Sequence, residues 1–317
     1  MTEDEVIDRL FADFRGDFCE RLKFVKLCHK GDQDGDEDGL LWHFTRFKNL
    51  QKMLTRREIW LSDLAYSNDA NEVVYGLSRV NSVVDEISKR WPNRKNAKIV
   101  LRMAKRVLQR SSEPFHNYAF SLSTEHDTVQ HWSIYGDGLN ICPVRDNPLI
   151  AIGFDAGALF YPLELSSDDP PIYMINTVSG NDAADDLANY WGIKAGLALN
   201  VLDSQRTSIR AKRVYKLLEH MLVLACSLVK NNGWKDEGEY RLLYITKDFG
   251  DEQIYLPERP DHRGRYAPLK WTEERSPVRA VVTHPLADTA FVEKSLRKLP
   301  GGRDIIFKKS ELNPRPI

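Results

Sequence analysis

Three short blocks constrain this chain more than the rest of it combined. They are Leu41-Trp42-His43-Phe44-Thr45, Phe120-Ser121-Leu122-Ser123 and Trp234-Lys235-Asp236-Glu237-Gly238-Glu239-Tyr240-Arg241. Each reads as a short β-strand, or the start of one, with polar side chains set among apolar ones. Successive side chains of a strand point to opposite faces. His43 and Thr45 should therefore share a face opposite Trp42 and Phe44. Ser121 and Ser123 should share a face opposite Phe120 and Leu122. Glu237 and Glu239 face the same side if the third strand begins that early. Two carboxylates on one face repel, so such a pair implies a cationic partner or a substrate.

Other elements follow from hydrophobic periodicity. Val6, Leu10, Phe11, Phe14, Phe18 and Leu22 recur at helical spacing, which predicts a helix over 3–28, interrupted at Gly16. A Gly/acid loop at 31–39 follows it. A helix is expected over 46–57 and a strand over 59–62. Residues 72–110 read as helical, broken at Trp91-Pro92-Asn93. Strands are expected at 117–123, 149–154, 172–175, 239–245, 280–283 and 304–308, and residues 181–231 read as largely helical. The organisation expected is an N-terminal helix and acidic loop (1–39), then one domain (40–317) with helical insertions at about 69–116 and 181–231.

Composition excludes several classes. The chain has 317 residues, 42% hydrophobic and 29% charged, which suits a globular protein with a sizeable core. Its formal net charge is −1, so no global field draws it to nucleic acid. No apolar run approaches the ~18 residues of a membrane span, and the acidic N-terminus lacks a signal-peptide pattern. The cysteines (Cys19, Cys28, Cys142, Cys226) are scattered, with no CxxC spacing. A cytoplasmic protein with unbridged, mostly buried thiols is expected. There is no P-loop, no GxGxxG after a strand and no GxSxG. Asp34-x-Asp36-x-Asp38-Gly39 imitates the start of an EF-hand, but its twelfth position is Thr45 and a strand follows. His126, Asp127 and His131 lack the HExxH spacing, so no metal is expected.

One segment does concentrate charge. Residues 89–110 hold nine Lys or Arg and no acid, with Ile99, Val100, Met103, Ala104, Val107 and Leu108 on an apolar face. A solvated helix face is the ordinary explanation. A surface for phosphates or for an acidic partner is the alternative, with Lys98, Arg102, Lys105 and Arg106 as its contacts.

The stretch from His43 to Glu72 resembles the opening of a bacterial family called domain of unknown function 2971. The resemblance rests on the aromatic-rich strand, an Asn-Leu helix start at Asn49-Leu50, Trp60-Leu61-Ser62, Asn68-Asp69 and Glu72. It continues at Phe120-Ser121-Leu122-Ser123, Trp132, Tyr135 and Gly136, and ends at Trp234, Glu237, Glu239 and Arg241, more loosely at Lys309-Ser310-Glu311-Leu312. It spans roughly residues 40–313. One departure is Asn68-Asp69-Ala70-Asn71-Glu72, where the family has proline at the third position.

The family is placed among ADP-ribosyltransferase-like folds, many of them toxins or defence proteins. The resemblance implies an α+β fold: a split, mostly antiparallel ADP-ribosyltransferase-like sheet with many flanking helices. It implies transfer of ADP-ribose from NAD, the co-substrate, to a macromolecule. We favour a nucleic acid, RNA or DNA, over a protein as acceptor because of the basic segment. A neutralising antitoxin-like partner would fit such a toxin.

Cleaving the nicotinamide bond of NAD makes an oxocarbenium-like ribose, which needs a carboxylate nearby. Glu239 takes that role and, by resemblance, Glu237 contacts the acceptor. Glu239→Gln is expected to abolish NAD cleavage and leave the fold intact. His43 and Thr45 would fix a ribose hydroxyl and the carboxamide, with Thr45 holding the ring. Ser121 and Ser123 would orient the carboxylate. Trp132 or Tyr135 would stack on nicotinamide, although both residue types are more often core. Asn68 and Asp69 would lie on a loop reaching the site. The rivals are an NAD glycohydrolase, with water as acceptor, and a non-catalytic nucleic-acid or protein binding module.

Overall fold

The computed structural model describes residues 39–63, 116–135, 146–160, 172–176, 178–179, 226–230, 238–246, 266–272 and 276–312, with single helical positions between 75 and 105 and between 185 and 222. The described part is mixed α+β, built on one open, mostly antiparallel sheet of nine strands.

β1 (Leu40–Arg46) runs straight into α1 (Phe47–Arg56), which returns the chain to β2 (Glu58–Asp63). Helix α1 buries Phe47, Leu50 and Leu54, one stripe at helical spacing. It stops at Arg57, a left-handed residue (φ 56°) whose N–H returns to the Met53 carbonyl. Next come β3 (His116–Ser123), α2 (Val129–Tyr135), β4 (Leu149–Asp155), α3 (Ala156–Phe160), β5 (Ile172–Asn176) and β6 (Val178–Ser179). The C-terminal third adds β7 (Val229–Lys230), β8 (Glu239–Thr246), β9 (Tyr266–Lys270), β10 (Val278–Thr283), α4 (Thr289–Leu296) and β11 (Ile306–Lys309). Asp288 caps α4 by accepting the Phe291 amide at 3.0 Å.

Strand pairing divides the sheet into two halves. In one, β1 pairs with β4 along its whole length, β4 with β10, and β10 in parallel with β11. In the other, β3 pairs with β8 along its whole length, β8 with β5, and β2 with β9 and the middle of β3. The halves meet between β1 and β3, where the register holds one pair, Trp42↔Ser123.

Both faces of the first half are covered. One core gathers Leu41, Ile150, Ile152, Phe154, Phe120 and Leu122 against α1 and α4. A second gathers Trp42, Phe44, Leu149, Ala151, Ala280 and Val282 around Trp132 of α2. This explains why β4 (LIAIGFD) is apolar almost throughout instead of alternating: it has no face turned to water. The leading strand β1 shows the expected alternation, Leu41 to one core and Trp42 and Phe44 to the other.

The described helical positions between 75 and 105 agree with the helix expected there. Arg79 bonds Asp185 at 2.8 Å, tying this segment to the later helical one. Gly76 lies directly on the Cys226 carbonyl, where a Cβ would come within 2.2 Å. The expected helix over 3–28 lies outside the described residues. Among the described residues no helix is long and apolar enough to cross a membrane.

Candidate functional site

A cavity of about 30 Å³ sits at the seam between the two half-sheets. Trp42, His43 and Phe44 of β1 line it, with Ser121, Leu122 and Ser123 of β3, Glu239 of β8 and His131 of α2. Four of the residues singled out in the sequence, His43, Ser121, Ser123 and Glu239, thus meet from three strands. Antiparallel pairing explains how: β3 and β8 put Ser123 opposite Glu239 and Ser121 opposite Arg241. Directly opposed residues share a face, so this polar quartet occupies one side of the half-sheet.

His43 reaches the cavity from the other side. Its ring stacks on Phe120 (4.1 Å between centroids), away from Trp42 and Phe44. Its Nδ1 lies 2.9 Å from the Ser121 carbonyl. A carbonyl only accepts, so Nδ1 carries the proton and donates it. The side chain thereby satisfies a β3 carbonyl next to the single β1–β3 register pair. Burial lowers the His43 pKa to about 4, against a smaller upward pull from that bond. The imidazole is therefore neutral at pH 7, with Nε2 an acceptor.

Glu239 is buried, 5% exposed, and held by two cations. Arg241 grips it with two bonds, Nε to Oε1 at 3.0 Å and Nη2 to Oε2 at 3.2 Å. Lys230 Nζ contacts Oε2. Arg241 also donates from Nη1 to the Ser227 carbonyl at 2.8 Å. Burial alone would raise the carboxyl's pKa, but the charges of Arg241 and Lys230 outweigh it and the net shift is downward. The carboxylate stays ionised and fixed in direction.

Several expected roles need correction. Gly238 takes a left-handed φ of 52° and β8 begins at Glu239, so strand alternation cannot be extended back to Glu237. The two-residue spacing therefore sets no shared face, and Glu237 itself lies outside the described residues. The Thr45 hydroxyl accepts a bond from Asn49 of α1 at 2.8 Å. The Ser121 carbonyl and Phe120, not Thr45, orient the His43 ring. Trp132 is fully buried in the second core, with its Nε1 donating to Asp127 at 2.7 Å, so it offers no open ring face. Tyr135 ends α2. Asn68, Asp69 and Arg106 lie outside the described residues. Lys98, Arg102 and Lys105 are helical and exposed, remote in sequence from every residue of the cavity.

His126, Asp127 and His131 do not converge. His126 stacks on Trp42 (4.4 Å) and His131 on Phe44 (4.8 Å). Asp127 binds Trp132, the Ser310 hydroxyl at 2.6 Å and the Glu311 amide at 2.7 Å, pinning the segment after β11 over the second core.

Sequence reasoning missed Lys230, and it considered His131 only as a metal ligand, not as part of this cavity. Arg241 carried a signal, since i and i+2 on a strand share a face with Glu239. Lys230 carried none, because among the described residues its strand β7 pairs with the short β6 and reaches Glu239 through tertiary packing. Comparison with protein-family models, curated proteins and solved structures returned no match.

Proposed function

We propose that this chain is an NAD-dependent ADP-ribosyltransferase that modifies a macromolecule. One observation supports the reading above the others: three blocks far apart in sequence bring His43, Ser121, Ser123 and Glu239 to one cavity at the seam of the sheet. The expected ADP-ribosyltransferase-like fold is consistent with the two half-sheets and is part of this proposal.

The reaction breaks the bond between ribose C1′ and the nicotinamide nitrogen, whose electron pair leaves with nicotinamide. A lone pair on the acceptor forms the new bond to C1′, and the acceptor's proton is released. Glu239, kept ionised, faces the cationic ribose and its 2′-hydroxyl. Neutral His43 offers Nε2 as an acceptor to a substrate hydroxyl or amide. Ser121 and Ser123 are small, which leaves room beside the carboxylate. Glu237 is assigned to the acceptor side by resemblance. A cavity of about 30 Å³ holds a water or two, far less than NAD, so binding requires the seam to widen and Glu239 to loosen from a cation. A role as toxin or defence effector with an antitoxin-like partner belongs to the same proposal.

The buried Glu239–Arg241–Lys230 cluster favours a second reading, a non-catalytic module in which Glu239 is only a structural anchor. The test is incubation of the protein with labelled NAD and cell lysate, followed separately by nuclease and by protease. Nicotinamide release with label on a macromolecule supports the transferase. Release without transfer supports a glycohydrolase. No release, alone or in lysate, overturns the enzyme reading.

A further inference from the structure

Helix α1 gathers positive charge where a helix gains nothing from it. Lys48, Lys52 and Arg56 recur every four residues and are all exposed. At about 100° per residue they span roughly 80°, on the side opposite the buried Phe47, Leu50 and Leu54. At about 1.5 Å per residue the stripe runs roughly 12 Å along the axis. Every surface helix turns polar residues to water, but this face departs from the usual mixture in two ways. Like charges four residues apart destabilise a helix, and the chain holds no acid from Leu40 to Arg57. Cations also oppose the helix dipole at its N-terminus, yet Arg46 is the N-cap and Lys48 lies in a first turn that contains no acid. Among the described residues Lys48 and Lys52 have no ion pair, and Arg56 reaches Glu58 at 3.7 Å.

The far end of the stripe meets aromatic rings. The Arg56 guanidinium carbon lies over the Trp60 ring, 5.3 Å from its centroid. Trp60 Nε1 donates to Glu58 at 2.9 Å, which fixes the indole, and Tyr266 lies beside it at 5.5 Å between centroids. Both rings are half-buried. Ile59, Leu61 and Ala267 alternate with them into the first core, so Trp60 and Tyr266 sit on the other face of β2 and β9. The Arg56 side chain is 48% exposed, so a planar cation backed by an indole is presented to solvent.

Phosphates pair with cations, and unpaired bases stack on guanidinium planes. A row of cations ending in an aromatic-backed guanidinium therefore fits a single strand of nucleic acid. An acidic peptide would use the charges and leave the stack unused. A duplex offers phosphates but hides its base faces. The position also suits the seam cavity, because β1 carries His43 and runs straight into α1. At about 3.3 Å per residue, the helix begins about 13 Å from His43.

We propose that Lys48, Lys52 and Arg56, with Trp60 behind Arg56, form a docking surface for single-stranded nucleic acid. The lysines hold phosphates and one base stacks on Arg56. No base edge is read, so binding is independent of sequence and falls with salt. The proposal rests on the transferase reading only in making this strand the acceptor, since docking itself needs no NAD.

The test uses the full chain without NAD and a labelled mixed-sequence RNA of about 20 nucleotides, followed by anisotropy across a salt series. Lys48→Gln/Lys52→Gln should weaken binding at least about tenfold at about 0.1 M salt and flatten the log–log slope by about 1.4, at ~0.7 per phosphate contact. Arg56→Lys keeps the charge and removes the plane. It should weaken binding about fivefold or more with the slope unchanged. Circular dichroism should show both variants folded, since all three positions are exposed. With wild type, unlabelled duplex RNA of the same length should compete less well than the single strand. Absence of RNA binding by wild type, an unchanged slope in the double lysine variant, unchanged affinity in Arg56→Lys, or equal competition by duplex would overturn the proposal. Displacement of RNA by equimolar poly-glutamate would also overturn it and assign the surface to an acidic protein. The competitions use wild type, so they decide even where a variant unfolds. NAD turnover is measured separately: its loss leaves the docking surface standing, and loss of RNA binding leaves NAD cleavage standing.

Discussion

Glu239→Gln should destabilise the fold, contrary to what its place at the start of a strand suggests. The side chain is 5% exposed, and its single negative charge is shared between Arg241 and Lys230. The amide keeps the shape but leaves two cations in a desolvated site. Removing one partner of a buried ion pair typically costs about 3–5 kcal/mol. Against a total stability of roughly 5–15 kcal/mol this is a large fraction, and it should lower the thermal midpoint by roughly 5–10 °C. Lys230→Met should cost less, because Arg241 keeps its two-point grip on the carboxylate. The double variant should lose less than the sum of the two, by about 1 kcal/mol or more, since one orphaned cation is gone. Urea unfolding of the four proteins, with unchanged denaturant slopes, measures this directly. The depressed carboxyl pKa gives a second readout: its contribution is present above the unfolded value of 4.5 and is lost as pH falls through the lower folded value. Glu239→Gln should lack that part of the acid limb. A change under 1 kcal/mol, or additive singles, would refute the buried-cluster account and would restore Glu239→Gln as a clean catalytic knockout.

Other predictions follow from single contacts. His43 is neutral in the fold with its pKa pushed down to about 4, so stability should decline between pH 6.5 and 4 as the unfolded chain binds the proton first. Its share is on the order of 1–3 kcal/mol after allowing for partial exposure, and His43→Asn should abolish that limb in a pH series of denaturation midpoints. Gly76→Ala should destabilise by at least about 2 kcal/mol, because its Cβ would fall 2.2 Å from the Cys226 carbonyl. If urea unfolding shows no loss, that close approach is wrong. Asp127→Ala removes the acceptor of three bonds, from Trp132, Ser310 and Glu311. It should cost about 2–4 kcal/mol and speed hydrogen exchange at the Glu311 amide, which mass spectrometry would detect.

The central strands were legible because local pattern and tertiary context agree there. β3, β4, β5, β8 and β10 fall within two residues of the expected positions, since each carries β-branched or aromatic residues bounded by turn chemistry. α1 announced itself through Phe47, Leu50 and Leu54. β9 (YAPLK) was not legible: Pro268 and Lys270 spoil the strand pattern, and its position beside β2 supplies the missing preference. α4 was hidden by its short length, although Asp288 before it is a cap signal. At the site, residue types told more than geometry did. The meeting of His43, Ser121, Ser123 and Glu239 was anticipated, but not that His43 would bond a backbone carbonyl across the seam or that Lys230 would arrive from another sheet. Such contacts depend on the packing of distant segments and leave no trace in local spacing.

The single register pair between β1 and β3 also governs how the molecule can deform. Each half-sheet is stiffened by its own ladders, seven pairs between β1 and β4 and eight between β3 and β8. The joint between them is crossed by Trp42↔Ser123 and the His43–Ser121 bond. Strain applied to the sheet will therefore concentrate at this joint, as in a book that flexes at its spine. The hydrophobic core resists that flexing, because Leu41, Ile152 and Phe154 pack across the joint against Phe120 and Leu122, so backbone compliance and side-chain packing oppose each other along the line where Glu239 sits.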